Sequence, residues 1–98
     1  MKNFLKVALW NANGLTQHSQ EVKSFIISHN IDIMLITETH FTNKSYFKMP
    51  NYFIYTTTHP DGTAHGGTAI IVKTKIKHCE VNNFRKDYLR ATNIIIED

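Results

Sequence analysis

Short apolar runs dominate the first third of the chain and predict two strands. The stretch from Phe4 to Trp10 is apolar apart from Lys6, and it predicts a strand that is buried on both faces and ends at Asn11. The stretch from Ile31 to Ile36 is β-branched and apolar apart from one aspartate, and it predicts a second buried strand.

The segment between these strands predicts one helix. Asn13-Gly14 indicates a turn, and either Thr16 or Ser19 can cap the helix that follows. Asn30 is a suitable stop. The predicted buried face of the helix consists of four residues at helical spacing: Val22, Phe25, Ile26 and His29.

A strand, a helix and a second strand together form a βαβ unit. Such units cross over in the right-handed sense and leave their two strands parallel. Both strands therefore end at the same edge of the sheet, at Asn11 and Glu38. Open α/β sheets bind ligands at the carboxyl ends of their strands, so this edge is the first candidate for a functional site.

The remainder of the chain predicts further strands. Thr39–Asn51 is polar and rich in turn residues, and Tyr52–Thr58 is aromatic and β-branched. The loop composition of His59–Gly67 and the apolar run Thr68–Val72 then predict a hairpin with a long connection. A further strand begins at Ala91–Ile96.

Three lysines after the hairpin alternate with other residues. Lys73, Lys75 and Lys77 have the spacing of residues on one face of a strand. We expect this charged row to be a solvated strand face rather than a track for phosphates.

Composition narrows the class of protein. The 98 residues suffice for at most one small domain, and a hydrophobic content of 42% is too high for a disordered tail. No apolar run reaches the roughly 18 residues of a membrane span, and the first residues lack a signal-peptide core, so neither membrane insertion nor secretion is expected. A single cysteine, Cys79, fits a reducing intracellular compartment, either nucleus or cytoplasm.

Charge and metal-ligand spacing add little by themselves. A formal net charge of +3 at pH 7 and a pI near 9.1 permit a nucleic-acid partner without demanding one. Among the six histidines no pair has the i, i+4 spacing of helical metalloproteases, and Cys79 has no partner cysteine. Zinc is therefore not expected.

Three motifs follow one another along nearly the whole chain. Trp10–Leu15 resembles the pattern W-N-x-[ND]-G-[LI], Thr37–Phe41 resembles Q-E-T-H-[LF], and Gly66–Val72 resembles G-G-[VT]-A-[IL]. Together with the aromatic segment Tyr52–Tyr55 they are similar to the endonuclease/exonuclease/phosphatase superfamily. The residues of these motifs are most similar to those in the N-terminal part of the apurinic-type endonuclease domain of jockey-like non-LTR retrotransposons.

The resemblance implies a fold of the α/β class, a four-layer α/β/β/α sandwich. Residues 1–98 would form the N-terminal half of one such domain. The second half of family members supplies an Asp-x-Asn pair, a further Asp and an Asp-His, and no residue here matches those. We therefore expect a partial domain with an incomplete site and an apolar sheet face open to water.

The resemblance also assigns roles. Phosphodiester cleavage needs a divalent cation and a positioned water, and Mg²⁺, with Mn²⁺ as the alternative, takes few protein ligands. Glu38 would be the catalytic metal anchor, and Asn11 would help to order the metal and the scissile phosphate. Asn13 and His40 would support the metal or contact DNA. Thr37 replaces the usual Gln, so its hydrogen bonding at the site is expected to differ.

Each of these residues also has a structural interpretation. Without its motif, Glu38 would be a solvated carboxylate at a strand end. Asn13 serves a turn, and a single histidine such as His40 is more often structural. Gly66 and Gly67 are expected to shape the backbone at the start of a strand rather than to cradle a phosphate.

The functional hypothesis is a fragment of a Mg²⁺-dependent DNA endonuclease from a non-LTR retrotransposon. The intact protein would nick target DNA to prime reverse transcription, and the rest of the retroelement polyprotein would be a partner. The alternatives are a nucleic-acid-binding remnant without catalysis and the phosphatase branch of the same fold.

Overall fold

The structure is a computed structural model that describes residues 4–42, 44–58, 66–85 and 90–96. For the residues after His78 it describes the backbone alone. A 3₁₀ turn at Thr16–His18 precedes the helix. In chain order the elements of these ranges are β1 Val7–Asn11, α1 Ser19–Ser28, β2 Ile33–Thr37, β3 Tyr52–Thr57, β4 Thr68–Lys73, β5 His78–Arg85 and β6 Arg90–Ile96.

The first four strands form one mixed sheet in the order β1-β2-β4-β3. β1 and β2 are parallel, as the βαβ pattern predicts, with Val7 opposite Ile33 and Asn11 opposite Thr37. β4 is antiparallel to both of its neighbours, which confirms the predicted hairpin of β3 and β4. The connection at positions 59–65 lies outside the described residues.

β5 and β6 form a separate antiparallel pair that lies beside β3 and β4. β6 confirms the strand predicted at Ala91–Ile96. β5 was not predicted, because its sequence HCEVNNFR lacks a continuous apolar run and carries a register irregularity between Val81 and Phe84.

The helix ends where its sequence indicates. Asn30 adopts a left-handed φ of 52°, and its N–H donates to the Ile27 carbonyl at 3.2 Å. The next N–H, of Ile31, donates to the Ile26 carbonyl at 3.0 Å. These two bonds form a Schellman motif, in which Ile26 and Ile31 also share the core. The predicted stop at Asn30 is thereby confirmed.

The start and the buried face of the helix differ from the prediction. Neither Thr16 nor Ser19 provides a side-chain cap: α1 follows the 3₁₀ turn directly and no capping bond is made. Val22 and Ile26 are buried, but Phe25 is 41% exposed and stacks at 4.6 Å on the exposed ring of His29. The buried stripe is narrower than predicted because the helix packs at the edge of the sheet, over β1 and β2.

One face of the sheet carries the main core. Side chains of β1, β2 and β4 meet α1 and the segment after β2 on this face, and the partly buried Trp10 packs against them. The buried residues of this cluster are Ala12, Leu15, Val22, Ile26, Ile31, Met34, Ile36, Phe41, Phe47, Met49, Ala69 and Ile71.

The opposite face of the sheet is only partly covered. Ile33, Ile70 and Val72 form a small second cluster, but Val7 is 53% exposed and Leu9 is 73% exposed. The prediction that the first strand is buried on both faces was therefore wrong. β1 is an edge strand, and nothing among the described residues covers its outer side chains. The expected apolar face open to water is present here.

The row of three lysines is not a strand face, which corrects the prediction. β4 ends at Lys73, and the chain turns at once, with the Ile76 N–H donating to the Lys73 carbonyl at 3.0 Å. Lys75 and Lys77 are exposed on the connection to β5.

No helix within the described ranges is long and apolar enough to cross a membrane.

Lys73 instead pairs with the buried carboxylate of Asp32. Lys73 Nζ lies 3.2 Å from Asp32 Oδ1, and the two side chains are 11% and 1% exposed. Asp32 Oδ2 accepts a bond from the Lys6 N–H at 2.7 Å, and Asp32 accepts the Lys73 N–H through its carbonyl at 3.1 Å. One residue therefore joins the segment before β1, the start of β2 and the end of β4.

We predict that Asp32→Ala lowers the free energy of unfolding by about 3 to 5 kcal/mol, because it leaves the Lys73 ammonium nearly buried without its carboxylate. Urea denaturation followed by circular dichroism measures this loss. The matched control is Lys75→Ala, at an exposed position two residues away, which should change stability by no more than about 0.5 kcal/mol. Equal losses in the two variants would contradict the role assigned to the buried pair.

Candidate active site

The carboxyl ends of β1 and β2 lie side by side, with Asn11 opposite Thr37. The pairing continues beyond both strands. Ala12 N–H donates to the Thr37 carbonyl at 2.9 Å, and Gly14 N–H donates to the Glu38 carbonyl at 2.8 Å. The residues that follow β1 are therefore fastened to the residues that follow β2, and the edge predicted from the βαβ pattern is a continuous piece of backbone.

The loop before β4 holds the same segment from its other side. Thr39 N–H donates to the Gly67 carbonyl at 3.3 Å, and His40 N–H donates to the Gly66 carbonyl at 2.8 Å. Backbone hydrogen bonds therefore hold Glu38, Thr39 and His40 between the loop after β1 and the loop before β4. All three sequence motifs meet at this edge, although they are far apart in the chain.

Backbone conformation directs the side chains of this segment. Glu38 and His40 both have left-handed φ angles, 55° and 57°, which few residues other than glycine, asparagine and aspartate adopt. Thr39 between them is 1% exposed, whereas the Glu38 side chain is 47% exposed and that of His40 is 28% exposed. Strained backbone of this kind clusters at functional sites, so the two angles support a functional hypothesis for this segment.

The side chains of Glu38 and His40 contact each other. His40 Nε2 lies 3.0 Å from Glu38 Oε2, a distance at which the ring N–H donates to the carboxylate. Among the described residues Glu38 Oε1 has no hydrogen-bond partner. The histidine therefore fixes one carboxylate oxygen and leaves the second available at the surface of the edge.

The two asparagines of the first motif differ in position. Asn11 is the last residue of β1 and is exposed at the edge. Asn13 has a φ of 47° and precedes Gly14 at 103°, so the predicted Asn-Gly turn is confirmed. Thr37 is exposed at the end of β2, where its carbonyl accepts the Ala12 N–H.

Gly67 approaches the second motif too closely for any side chain. A Cβ built on Gly67 would lie 2.5 Å from Thr39 Oγ1 and 3.2 Å from the Thr57 carbonyl oxygen, and its φ is 90°. Gly66 and Gly67 therefore shape the backbone at the start of β4, as predicted. Thr39 was missed at the sequence level, because only its place between Glu38 and His40 hints that it anchors them.

The donor set suits a hard divalent cation with few protein ligands. Glu38 offers a carboxylate oxygen and Asn11 an amide oxygen, and Mg²⁺ binds through one or two carboxylates while retaining several waters. The described residues contain no group of three or more His, Cys, Asp or Glu side chains that could hold a metal ion. A cation at this edge would therefore rely on few side chains of the described ranges, with Glu38 supplying the carboxylate.

Comparison with known proteins shows the family of the chain. The sequence profile of the Endonuclease/Exonuclease/phosphatase family matches residues 8–98. The chain belongs to this family. The RNA-directed DNA polymerase from mobile element jockey of Drosophila melanogaster is 45% identical over 74 residues, which are 76% of this chain and 8% of that protein. The probable RNA-directed DNA polymerase from transposon X-element of the same organism is 36% identical over 94 residues, 95% of this chain and 10% of that protein.

Solved structures show the same fold. The catalytic domain of Xenopus laevis APE2 superposes with a TM-score of 0.67 at 20% identity, over 80% of this chain and 26% of that chain. An AP endonuclease from Archaeoglobus fulgidus gives 0.63 at 18% identity, over 87% of this chain and 33% of that chain. The chain therefore has the endonuclease/exonuclease/phosphatase fold and spans about a third or less of these domains.

We predict that Gly67→Ala destabilises the protein by about 2 to 4 kcal/mol, the sum of backbone strain and overpacking against Thr39. Thermal and urea unfolding measure the loss. Gly14→Ala is the matched control. Gly14 has a similar φ of 103°, but its new Cβ would meet only the flexible side chain of Gln17 at 3.2 Å.

A double-variant cycle separates the clash from the strain. Thr39→Ala removes the hydroxyl that the new Cβ meets, so Gly67→Ala should cost less in that background than in the parent protein. Strict additivity of the two substitutions would show that Thr39 does not sense position 67.

Proposed function

We propose that this chain is part of a metal-dependent DNA endonuclease domain of a non-LTR retrotransposon polyprotein, working in the nucleus or cytoplasm. The observation that supports the proposal most is the exposed Glu38 carboxylate, aligned by His40 at an edge where all three family motifs meet. The curated relatives are RNA-directed DNA polymerases of mobile elements, which supports the assignment to a retroelement.

The chemistry rests on charge at the scissile phosphate. A Mg²⁺ or Mn²⁺ ion held by Glu38 and Asn11 would offset the negative charge that develops as the phosphodiester bond is attacked. Within this chain, Glu38 Oε1 is the oxygen that His40 leaves available for the cation. The Asn11 amide can accept from a bound water or donate to a phosphate oxygen.

His40 is a positioning residue in this proposal. Its contact with Glu38 Oε2 restricts rotation of the carboxylate, and such partners of metal ligands sharpen both affinity and geometry. The left-handed backbone at positions 38 and 40 directs both side chains to the same side of the edge. Asn13 lies within the adjoining turn, where it is exposed and close to the path of a DNA backbone bound at Glu38.

The remaining catalytic groups would come from other parts of the polyprotein. The proposed product is a nicked strand whose 3′ hydroxyl primes reverse transcription. Binding without cleavage, or hydrolysis of a small phosphate ester, are the competing outcomes that an assay can distinguish.

We predict that the longest polypeptide encoded by this reading frame converts supercoiled plasmid to the nicked form only with Mg²⁺ or Mn²⁺. Glu38→Gln should lower the nicking rate by about 10²- to 10³-fold, because it removes the charged metal ligand. Glu21→Gln is the matched control, since Glu21 is also an exposed carboxylate beside a histidine, 3.4 Å from His18 Nδ1. Nicking that survives Glu38→Gln, or persists in EDTA, would refute the proposal.

We predict a smaller effect for the aligning histidine. His40→Ala should raise the Mg²⁺ concentration needed for half-maximal nicking by about 10- to 100-fold, as removal of a metal ligand's hydrogen-bond partner does. His18→Ala should leave this concentration unchanged. A drop in rate at saturating metal without any shift in metal requirement would instead indicate a direct role of His40 at the phosphate.

A further inference from the structure

The segment between the candidate site and β3 is firmly attached to the core. Phe41 is 3% exposed, Phe47 is 9% exposed and Met49 is 4% exposed, and all three belong to the main cluster with α1. Its described residues, 41–42 and 44–51, form no helix or strand. Its burial nevertheless gives it a defined path across the surface beside α1.

The residues between these anchors face the solvent. Tyr46 is 75% exposed, and Lys44 and Lys48 are also exposed. An extended chain directs successive side chains to opposite sides, so burying Phe47 and Met49 forces Tyr46 and Lys48 outward. The alternation of exposed and buried side chains thus leaves a surface with two lysines and one tyrosine.

A local hydrogen-bond network fixes the start of this surface. Thr42 N–H donates to Ser45 Oγ at 2.7 Å, and Lys44 N–H donates to Thr42 Oγ1 at 3.1 Å. Ser45 N–H donates to the Thr42 carbonyl at 3.1 Å. Lys44 therefore projects from a closed turn, so little backbone freedom is lost when it binds a partner.

A third lysine adjoins the surface from the helix. Lys23 Nζ lies 5.1 Å from the centre of the Phe47 ring, within the range of a cation–π contact. Lys23 stands in the second turn of α1, and α1 begins at the edge where β1 ends. The surface formed by Lys23, Lys44, Tyr46 and Lys48, here called the basic loop surface, therefore extends from the Glu38 edge along α1.

The segment after the candidate site carries no negative charge of its own. The sequence from Thr39 to Asn51 contains no aspartate or glutamate. The acidic neighbours are Glu38, at the candidate site itself, and Glu21, which contacts His18. Lys44 and Lys48, with no carboxylate between them and a tyrosine hydroxyl donor beside them, match the contacts that proteins make to phosphates of a DNA backbone, and Lys23 adds a third ammonium group.

We propose that the basic loop surface binds the phosphate backbone of duplex DNA beside the nucleotide presented to Glu38. The proposal rests on the proposed function for its choice of DNA, but it concerns binding and needs no cleavage. Lys44, Lys48 and Lys23 contact successive phosphates, and the Tyr46 hydroxyl donates to a phosphate or sugar oxygen. The contacts set affinity and orientation and carry no base specificity.

The test is DNA binding by the full chain in EDTA, measured by fluorescence anisotropy with a labelled 25-base-pair duplex, at a length of about two and a half helical turns. Measurements at several salt concentrations give the slope of log K against log salt. The double variant Lys44→Ala/Lys48→Ala should bind about tenfold more weakly at 0.1 M salt, and its slope should be shallower by about two.

The control removes the same charge elsewhere. Lys75→Ala/Lys77→Ala also deletes two exposed lysines, but these follow β4 at the opposite edge of the sheet from Glu38. This variant should bind within about twofold of the parent chain, because distant exposed charges are screened. Circular dichroism and thermal unfolding establish that both variants fold like the parent.

Three results would overturn the proposal: equal weakening by both double variants, which indicates a response to net charge alone; no weakening by Lys44→Ala/Lys48→Ala; and no binding by the parent chain. Repeating the titrations in the Glu38→Gln background separates this proposal from the proposed function. If Glu38→Gln abolishes nicking while binding still depends on Lys44 and Lys48, both the catalytic role of Glu38 and the DNA contact of the basic loop surface are supported. Nicking that is indifferent to the loop lysines would refute the surface alone.

Discussion

The backbone pairing of β2 continues beyond the last residue of the strand, and the candidate site depends on this extension. Thr37 is opposite Asn11 on one side and Thr68 on the other, and the bonds from Gly14 and to Gly66 prolong both ladders through Glu38 and His40. A carboxylate on a loose loop would sample many positions, whereas here its main chain is fixed on both sides. Pre-organisation of this kind is what a metal ligand at a strand end requires, because a misplaced first ligand loses both affinity and geometry.

The opposite edge of the sheet is closed by a different interaction. Asp32 is nearly fully buried and joins Lys73, the Lys6 N–H and the end of β4, so the strands cannot slide relative to one another at that edge. Register at one edge determines register at the other, because a slip by one residue would turn every side chain of a strand to the other face. The buried ion pair at the start of β2 therefore helps to hold Glu38 in place at the end of the same strand.

The sequence predicted the parallel pair, the β3–β4 hairpin and the helix stop because each depends on local rules. Asn30 tolerates a left-handed φ, and short apolar runs between turn residues indicate strands. The predictions that failed were those that depended on tertiary contacts. Whether Val7 and Leu9 are covered depends on the strand's place at the edge of the sheet. The three lysines do not share a strand face because β4 ends at Lys73, where the side chain pairs with the distant Asp32 and the backbone turns. At the candidate site, the family motifs predicted Glu38 and its neighbours, and the structure brings these motifs together at one edge. The clash that excludes a side chain at Gly67 depends on Thr39 and Thr57, and no spacing in the sequence reveals it.

The two faces of the sheet leave the chain with two kinds of exposed surface. The face under α1 is filled, and the segment from Phe41 to Met49 completes that core while presenting Lys44, Tyr46 and Lys48 outward. The other face presents Val7, Leu9 and Phe53, which are apolar and partly bare. An apolar sheet face is stabilised when another layer packs against it, whereas exposed lysines on a loop anchored by buried aromatic residues are suited to bind phosphates. The two surfaces lie on opposite faces of the same sheet, so a protein layer packed against Val7 and Leu9 would leave Lys44, Tyr46 and Lys48 open. If DNA binds as we propose, it can therefore reach the Glu38 edge from the basic side while the apolar side is covered by protein.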